Sequence, residues 1–310
     1  MKKAKRKNTK ATHGPKILDG KKIGEEIKAE LKVKIEELKE KGVVPGLAVV
    51  LVGDNPASKV YVSNKRKTCE ELGIRSFAYD LPKTTTEDEL ITLIKELNAN
   101  PEVHGILVQS PIEGRDIDED KIIELIEPNK DVDGFHPINK GRLLNGQDCF
   151  VACTPAGIVE LLIRYGYRPE GKHVVIVGRS NIVGKPLATL LVQKSEWGNA
   201  TVTVCHTRTR NLSTITKSAD ILVAAIGQPE FITGRMVKEG CVVVDVGVNR
   251  VEDPSRKSGY RLVGDVHFDS VAKKARAITP VPGGVGPMTI AMLMKNTVKS
   301  AEKYLLSREK

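Results

Sequence analysis

The sequence predicts an α/β protein made of two α/β units, the second a Rossmann-like parallel sheet, with a C-terminal helix that returns to the first unit. Short apolar runs alternate with amphipathic stretches along most of the 310 residues. Such runs are typical of buried strands, and strands separated by helices form parallel sheets with right-handed crossovers. A chain of this length can bury two separate cores.

In the first unit, residues 47–52 are an apolar run that ends in a Gly-Asp-Asn-Pro turn, which predicts a buried strand. Gly73 is expected to end a helix, because glycine readily adopts the left-handed conformation at a helix C-terminus. Thr86 precedes three acidic residues and is expected to cap a further helix. We predict helices at residues 21–41 and 58–72 and strands at residues 47–52, 75–80 and 105–109.

The alternation resumes after residue 150 and ends in a long helix. Pro287 suits the first turn of that helix, where a missing amide hydrogen costs nothing. We predict helices at residues 154–165, 183–194, 211–219, 233–238 and 288–306 and strands at residues 173–177, 201–205, 221–225 and 241–246. The predicted organisation is a basic tail at residues 1–15, a first domain at 16–152 completed by helix 287–310, and a second domain at 153–286.

The charge of the chain lies mostly in its tail. The formal net charge is +10, but residues 1–16 hold seven Lys or Arg and no acid, which leaves +3 for the rest. A basic tail without interleaved aromatic residues does not predict nucleic acid as a partner. The tail lacks an apolar stretch, so we expect no secretory signal, while organellar targeting stays open. No run approaches the roughly 18 apolar residues that span a membrane, so we expect no membrane partner.

The five cysteines suggest neither disulfides nor a metal site. Their number is odd, no pair has a Cys-x-x-Cys spacing, and no histidines lie nearby at ligand intervals. The chain is also much longer than disulfide scaffolds. We therefore expect reduced thiols, a cytoplasmic location and no bound metal.

Residues 174–186 (VVIVGRSNIVGKP) form a predicted strand, a tight turn and the start of a helix. A Rossmann fold binds pyrophosphate at such a turn, against the amides of the helix N-terminus. The usual Gly-x-Gly-x-x-Gly is absent, since only Gly178 and Gly184 remain. An ordinary strand-to-helix turn is the alternative.

The end of the next predicted strand indicates which dinucleotide would bind. NAD-preferring folds place an acidic residue there, which binds the ribose hydroxyls. Residues 205–210 (CHTRTR) contain no acid, and Arg179 directly follows Gly178. Arginine and hydroxyl groups suit a 2′-phosphate, which a carboxylate would repel. The sequence therefore favours NADP.

The first unit carries polar residues that suit catalysis. Tyr61 and Lys65 are four residues apart on a predicted helix and share one face, although a solvated surface pair is the alternative. Short-chain dehydrogenases use the same spacing, but after their dinucleotide motif, whereas this pair precedes Gly178 by more than a hundred residues. Gln109 lies at a predicted strand end, where α/β sheets bind ligands.

Two further segments have unusual compositions. KDVDGFH (130–136) places Asp131 and Asp133 beside a glycine, which predicts either a ligand-binding group or a turn with surface acids. TPVPGGVGPMT (279–289) combines three glycines with three prolines. This combination suits a backbone that lies close to a ligand, and a plain linker would not need it.

Together these segments resemble the bifunctional methylenetetrahydrofolate dehydrogenase/cyclohydrolase family over about residues 17–305. Each match alone is modestly specific, whereas all of them in this order are very specific. The matching segments are GDNPASKVYVSNKRK (53–67), GILVQSP (105–111), KDVDGFHPINKGRL (130–143), CTPAG (153–157), GRSNIVGKP (178–186), VDVGVN (244–249), GDV (264–266) and TPVPGGVGPMT (279–289).

The resemblance implies a role for each matching residue. Lys65 would be the catalytic lysine, Tyr61 would stack on or orient the pterin, and Gln109 would bond the lysine. Asp133 would bind the pterin edge, where a carboxylate can accept from two adjacent N–H donors. The wall between folate and nicotinamide would be formed by Pro282, Gly283 and Gly284. The cofactor site would comprise Gly178, Arg179, Ser180, Gly184, Thr207, Arg208 and Asn249.

The resemblance further implies an NADP-dependent enzyme of one-carbon metabolism with a folate substrate. Such an enzyme oxidises 5,10-methylenetetrahydrofolate to the 5,10-methenyl form and hydrolyses that product to 10-formyltetrahydrofolate. It also implies a homodimer through the open edge of the Rossmann sheet. The chain departs from the family at residues 110–113 (SPIE), where Leu-Pro-Leu-Pro is usual, and at Ala152, where proline is usual. These departures affect pocket walls rather than the catalytic residues.

Three alternatives stay open at this point. A dehydrogenase without cyclohydrolase activity would share most of these segments, although the presence of both Lys65 and Gln109 favours two activities. A shikimate-dehydrogenase-like enzyme also combines an N-terminal substrate domain with a Rossmann unit, but the PGGVGP and KDVDG segments count against it. A nucleic-acid-binding protein would act through the basic tail.

Overall fold

The computed structural model describes residues 14–256 and 259–308, so the predicted tail at residues 1–15 lies outside it except for its last two residues. The strands are β1 (Lys16–Ile17), β2 (Gly46–Val52), β3 (Arg75–Leu81), β4 (Gly105–Val108), β5 (His173–Val177), β6 (Thr201–Cys205), β7 (Ile221–Ala224), β8 (Val242–Asp245), β9 (Asn249–Glu252), β10 (Tyr260–Val263) and β11 (Ala277–Ile278). The helices are α1 (Gly20–Glu40), α2 (Pro56–Leu72), α3 (Glu87–Ala99), α4 (Glu119–Leu125), α5 (Pro137–Leu144), α6 (Cys153–Arg164), α7 (Gly184–Val192), α8 (Leu212–Thr216), α9 (Phe268–Ala272) and α10 (Val285–Arg308).

Two parallel sheets form the framework. The smaller has the strand order β3-β2-β4, and the larger has the order β1-β11-β8-β7-β5-β6. Every strand pair within these two sheets is parallel, whereas β9 and β10 form a separate antiparallel hairpin. The predicted α/β architecture with parallel sheets is confirmed.

The first sheet is buried on both faces. All seven residues of its central strand β2 are buried, and alternate residues of that strand belong to two different cores. Because side chains of a strand alternate between faces, a strand covered on both sides must be apolar throughout. Gly73 ends α2 in the left-handed conformation with a φ of 74°, and Thr86 caps α3 in a reciprocal pair with Glu89, as predicted.

The C-terminal helix α10 joins the two halves of the molecule. Its buried residues lie in one core with residues of α1, α2, α6, β2 and β5. The Ser300 hydroxyl lies within hydrogen-bond distance of two carbonyl oxygens of the first unit, that of His104 at 2.6 Å and that of Asn129 at 2.8 Å. The predicted return of this helix to the first unit is confirmed, and the helix begins at residue 285 rather than 288.

Several short elements differ from the prediction. The predicted helix at residues 211–219 is only the five-residue α8, and the one at 233–238 is a three-residue 3-10 turn. Lys16 and Ile17, placed in the first domain by the predicted boundary, pair with β11 in the second sheet. Elements of eight residues or fewer that the sequence did not predict are α4, α5, α9, β1, β9, β10 and β11. Segments this short carry too few residues to show a hydrophobic period.

The described residues contain no helix that is long and apolar enough to cross a membrane. The five cysteines are all buried and free. Burial raises the pKa of the Cys69 and Cys241 thiols to about 12, because it disfavours the charged thiolate. These two side chains therefore behave as small apolar core residues.

Candidate active site

Lys65 and Gln109 are in direct contact. Lys65 lies in α2 and Gln109 directly follows β4, and the Lys65 Nζ donates to Gln109 Oε1 at 2.9 Å. Gln109 Nε2 donates to the carbonyl oxygen of Ser110 at 2.7 Å, which turns the amide oxygen towards Lys65. The structure thus brings together two residues that are far apart in the sequence and that we predict to be catalytic.

Tyr61 lies one helical turn before Lys65 on α2. The Tyr61 side chain is 44% exposed, whereas Lys65 is only 9% exposed. An exposed aromatic ring therefore precedes an amine that is buried and hydrogen-bonded to a neutral amide. The alternative of a solvated surface pair does not describe Lys65, because this side chain is buried and is paired with Gln109 instead of with water.

Asp131 shapes the loop at residues 131–136, which lies beside β4. One of its carboxylate oxygens accepts from the amides of Gly134 and Phe135, each at 3.1 Å. The other accepts from the amide of His136 at 2.9 Å and from Asn139 Nδ2 at 2.8 Å. Asp131 is only 2% exposed. Both aspartates of this segment are candidates for ligand binding from the sequence. In the structure Asp131 instead stabilises the loop through these four hydrogen bonds.

Asp133 has a different environment. Burial raises the pKa of its carboxyl group above the ordinary value, and the Asp131 carboxylate adds to this, while the Lys65 ammonium opposes it. The buried Cys153 thiol also lies beside it, and burial together with the Asp133 charge raises the pKa of that thiol. Asp133 is therefore a partly buried carboxylate close to Lys65 and at the start of α6.

The glycine-rich loop at residues 282–284 contacts the start of α1. The amides of Gly20 and Lys21 donate to the carbonyl oxygen of Gly283 at 2.9 and 3.1 Å. Gly283 has a φ of 104°, and a Cβ on Gly284 would lie 2.5 Å from a carbonyl oxygen of the preceding turn. Gly283 is therefore required by its left-handed φ and Gly284 by the lack of room for a Cβ. The hydrogen bonds of Gly283 attach this loop to the first residues of α1.

The cofactor turn depends on two close backbone approaches. Gly178 follows β5 with a φ of 132°, and a Cβ there would lie 2.1 Å from the carbonyl oxygen of Ala225. A Cβ on Gly184, the first residue of α7, would lie 2.2 Å from the carbonyl oxygen of Gly178. The two glycines therefore allow the turn to lie against β7 and the helix to lie against the turn. These are functions that glycines serve in a dinucleotide-binding turn.

Ser180 organises the residues between these glycines. Its hydroxyl oxygen accepts from the amide of Val183 at 3.1 Å, just before α7. Arg179 and Ser180 are exposed, so the guanidinium next to the turn is open to solvent. A phosphate placed at the N-terminus of α7 would have both backbone amides and a cation within the same segment.

The segment after β6 presents cations without acids. His206 Nδ1 accepts from the amide of Arg208 at 3.1 Å, and the amide of His206 donates to Thr209 Oγ1 at 2.8 Å. This small turn leaves Thr207 and Arg208 exposed at the carboxyl end of the sheet. The residues present fit a phosphorylated ribose and offer no carboxylate to ribose hydroxyls.

Asn249 was also predicted to bind the cofactor. Its Nδ2 donates to the buried Asp265 carboxylate at 2.9 Å, so part of its amide is already used inside the protein. Asn296 is a residue that sequence reasoning missed. Its Nδ2 donates to the carbonyl oxygens of Val132 at 2.8 Å and Val151 at 3.2 Å, which holds the Asp133 loop next to the start of α6. A single asparagine inside a long helix gives no sequence signal of such a role.

A lysine, a glutamine and a carboxylate at the end of one sheet, with a dinucleotide-type turn at the end of another, define a two-unit α/β enzyme. The family model for the tetrahydrofolate dehydrogenase/cyclohydrolase catalytic domain matches residues 18–133, and that for the NAD(P)-binding domain of the same enzymes matches residues 152–305. The chain belongs to the tetrahydrofolate dehydrogenase/cyclohydrolase family. It is a bifunctional enzyme of that class, which excludes the shikimate-dehydrogenase-like alternative.

Proteins from several organisms are similar to this chain over nearly its whole length. A Bifunctional protein FolD from Chloroherpeton thalassium is 59% identical over 292 residues, which are 93% of this chain and 99% of that protein. The crystal structure of the bifunctional enzyme FolD from Campylobacter jejuni has 53% identity and a TM-score of 0.87, with 93% and 98% of the two chains covered. FolD from Trypanosoma brucei, complexed with NADP cofactor and inhibitor, has 39% identity and a TM-score of 0.88, with 94% and 99% covered.

Asp133 is expected to bind the folate substrate independently of the cofactor. Replacing it by alanine strands substrate N–H donors in a buried pocket, which costs about 1.5–3 kcal/mol, or roughly tenfold to a hundredfold in affinity. Calorimetry with a folate analogue and with NADP measures both effects. Asp88→Ala, which removes an exposed acid from the first turn of α3, serves as the control.

The pH dependence adds a second test of Asp133. Only the ionised carboxylate accepts from two donors, and the pKa of this group is raised by burial. Analogue affinity should therefore fall, as the pH is lowered, at a higher pH than an ordinary aspartate would give. Asp133→Asn should remove this dependence. A variant that binds the analogue as tightly as the parent protein would refute the assignment.

Proposed function

We propose that this site oxidises 5,10-methylenetetrahydrofolate with NADP and then hydrolyses the methenyl product to 10-formyltetrahydrofolate. The observation that carries the proposal is the buried Lys65 ammonium, bonded to Gln109 at 2.9 Å and close to the Asp133 carboxylate. A base, a neutral partner that orients it and a carboxylate for the pterin edge are what the two reactions require from the protein. The NADP-complexed relative from Trypanosoma brucei supports the cofactor.

The dehydrogenase step needs mainly positioning. Two nitrogens flank the methylene carbon and stabilise the cation that forms when hydride leaves, and bound NADP supplies the hydride acceptor. Asp133 would hold the pterin edge, and the exposed Tyr61 ring would lie along the pterin. Holding two ligands in reacting geometry can contribute several kcal/mol to the lowering of the barrier.

The cyclohydrolase step needs a base. Water adds to the cationic methenyl carbon and loses one proton. The carbon–N5 bond then breaks as the adduct hydroxyl loses its proton and N5 takes one up, which leaves the formyl group on N10. Lys65, in its neutral form, would accept the proton from the attacking water. Gln109 fixes the direction of the Lys65 amine without adding a charge of its own. This pair favours a bifunctional enzyme over a dehydrogenase alone.

We place NADP on the second unit, with its pyrophosphate at the turn between Gly178 and Gly184. Arg179 would bind the 2′-phosphate together with Thr207 and Arg208. The acid-free, exposed segment after β6 supports this arrangement. Asn249 stays a predicted cofactor-binding residue.

We propose a first, folate-binding domain at residues 16–152, completed by the helix at 287–310, and an NADP-binding domain at 153–286. Packing of α10 on α1 and β2 supports the assignment of this helix to the first domain. Because β1 pairs with β11, residues 16 and 17 belong to the second sheet, although they precede the first domain in the sequence. The free, buried cysteines support a cytoplasmic location, because disulfides are rare in that compartment.

We propose that the enzyme is a homodimer that pairs through β6. This strand is an edge of the six-stranded sheet. Exposed apolar side chains lie on it and on the segments before it, since Val204 is 37%, Trp197 40% and Val192 55% exposed. An open edge with apolar neighbours is the usual template for pairing with a second copy.

A charge on this edge should separate the proposed dimer. Val204→Lys places an ammonium on the pairing strand. Burying this charge in the interface would cost more free energy than the strand pairing contributes. Light scattering should show half the molar mass of the parent. Val33→Lys, at an exposed position of α1, should leave the mass unchanged. A dimeric Val204→Lys protein would contradict pairing through β6.

Arg179 should set the preference for NADP over NAD. Arg179→Ala loses a charge-assisted contact to the 2′-phosphate, which costs about tenfold to a hundredfold in NADP affinity. Affinity for NAD should change little. Arg168→Ala, an exposed residue before β5 at the opposite end of the sheet, is the control. Equal losses for the two cofactors would show that Arg179 does not read the phosphate.

Lys65 should be required for hydrolysis more than for hydride transfer. Lys65→Met keeps the buried stem and removes the amine, so the fold should survive. Hydrolysis of methenyltetrahydrofolate should fall by about 10²–10⁴-fold, because water loses its base. The dehydrogenase rate should fall less, since it depends on ligand positioning.

Lys67→Met provides the matched control, because Lys67 is two residues away on the exposed side of α2. Both rates are measured on one preparation, with circular dichroism to monitor the fold. An unchanged hydrolysis rate in Lys65→Met would show that this lysine is not the base. Equal losses of both rates would instead assign it to substrate binding.

A further inference from the structure

Two of the segments that resemble the family are VDVGVN at 244–249 and GDV at 264–266, and apart from Asn249 none of their residues has a role in the reaction described above. The structure shows that they meet around two buried carboxylates, Asp245 and Asp265, which are 4% and 0% exposed. No cation bonds to either carboxylate among the hydrogen bonds and ion pairs of the described residues. Burying two carboxylates without a cation is costly unless many donors offset it.

Asp265 accepts four hydrogen bonds. One oxygen accepts from the amides of Ile226 at 2.6 Å and Gly227 at 3.0 Å. The other accepts from the amide of Gln228 at 3.0 Å and from Asn249 Nδ2 at 2.9 Å. A single side chain thus holds the loop that follows β7 and the first residue of β9.

The Asp245 carboxylate holds the backbone of the segment that carries Asp265. It ends β8 and accepts from the amides of Gly247 at 3.0 Å, Asp265 at 2.9 Å and Val266 at 2.9 Å. Burial raises the pKa of Asp245 to about 7, and the Asp265 carboxylate adds to this. A Cβ on Gly247 would lie 2.2 Å from Asp265 Oδ1, and one on Gly264 would lie 1.7 Å from Asp245 Oδ2. The glycines of both segments are therefore needed to make room for these carboxylates.

The location of the loop at residues 226–228 gives it a function. In the order β8-β7-β5-β6, β6 is added on one side of β5 and β7 and β8 on the other, so the strand order reverses between β5 and β7, and α/β sheets bind ligands at such a point. The cofactor turn at Gly178 lies against Ala225, directly before this loop. The arginines suited to the 2′-phosphate follow β6, on the other side of β5. The loop therefore borders the half of the crevice that lies away from the adenosine.

We propose that Asp265 is a positioning residue that holds residues 226–228 and Asn249 as the wall of the nicotinamide half of the cofactor site. The proposal rests on the proposed function, since it assumes that a dinucleotide occupies the crevice. Asp265 touches neither cofactor nor substrate. It acts through the backbone amides that it orients, and Asn249 is held by Asp265 as part of the same wall.

The test separates the two halves of the cofactor. Asp265→Asn replaces one acceptor oxygen by an NH2 group that faces two N–H donors, so the loop should shift while the shape of the side chain is kept. NADP affinity and the dehydrogenase kcat should each fall by at least about tenfold. Binding of 2′-phospho-ADP-ribose, which lacks the nicotinamide, should change by less than about twofold. Hydrolysis of supplied methenyltetrahydrofolate without cofactor should match the parent rate.

Asp220→Asn is the matched control. Asp220 directly precedes β7, at the end of the strands opposite to the cofactor turn. There it accepts from the amide of His173 and pairs with Lys238. It should leave the NADP and 2′-phospho-ADP-ribose affinities and both rates unchanged. Equal losses of NADP and 2′-phospho-ADP-ribose binding in Asp265→Asn would overturn the proposal, as would an unchanged dehydrogenase. A parent enzyme that lacks both activities would overturn the proposed function instead.

Asn249→Ala keeps the test decisive if Asp265→Asn does not fold. It removes one of the four donors to Asp265 and should lower NADP affinity and dehydrogenase kcat in the same direction by a smaller factor, again sparing 2′-phospho-ADP-ribose. Where both variants fold, the double variant should be little worse than Asp265→Asn alone, because the two substitutions remove the same contact. Fully additive losses would show that Asn249 acts on the cofactor independently of Asp265, and an Asn249→Ala enzyme that matches the parent would contradict the proposal.

Discussion

Buried aspartates that accept backbone amides shape the loops on which both halves of the site depend. Asp131 binds three amides and one side-chain amide in the folate-side loop, and Asp265 binds the same set of groups in the cofactor-side loop. Loops at the ends of parallel strands have unpaired N–H groups that water cannot reach once ligands bind. A carboxylate satisfies several of them at once, and the bonds to a charged acceptor offset its desolvation.

The same constraint explains why these segments contain glycine. A carboxylate that collects amides from one short turn requires the backbone to pass very close to it. Gly134, beside Asp131, has a φ of 75°, and a Cβ on it would lie 2.4 Å from the amide nitrogen of Ala152. Gly134 thus makes room for the backbone before α6, whereas Gly247 and Gly264 make room for the carboxylates of Asp265 and Asp245 themselves. In the cofactor-side segments, aspartate and glycine therefore occur together because the backbone packs closely around buried carboxylates, while Gly134 is required by its left-handed φ and by the neighbouring backbone.

Helix α10 connects the two halves, so the position of one sheet affects the other. Asn296 bonds the Asp133 loop and the segment before α6, and the Thr289 hydroxyl is 3.0 Å from that of Thr154 at the start of α6. The turn before α10 is bonded to α1, whose first residue, Gly20, has no room for a Cβ beside Gly284. The folate-side residues are thus held by a helix that starts at the predicted contact between folate and nicotinamide.

The sequence by itself determined the parallel α/β architecture, the strands of both sheets except the two-residue strands β1 and β11, the helix-ending role of Gly73 and the capping role of Thr86. These features depend on local periodicity and on backbone preferences, which neighbouring residues express directly. It also identified Lys65, Gln109 and Asp133 as candidates. The family resemblance implied that Gln109 bonds the lysine, and the tertiary structure places the two side chains 2.9 Å apart. Only the tertiary structure decided that Asp131 folds the loop while Asp133 lies close to Lys65. The hairpin of β9 and β10 was also beyond the sequence, because strands of four residues are too short to show a period. The Asp265 contacts were beyond it for another reason, since they join segments that are distant in the chain and are set by packing.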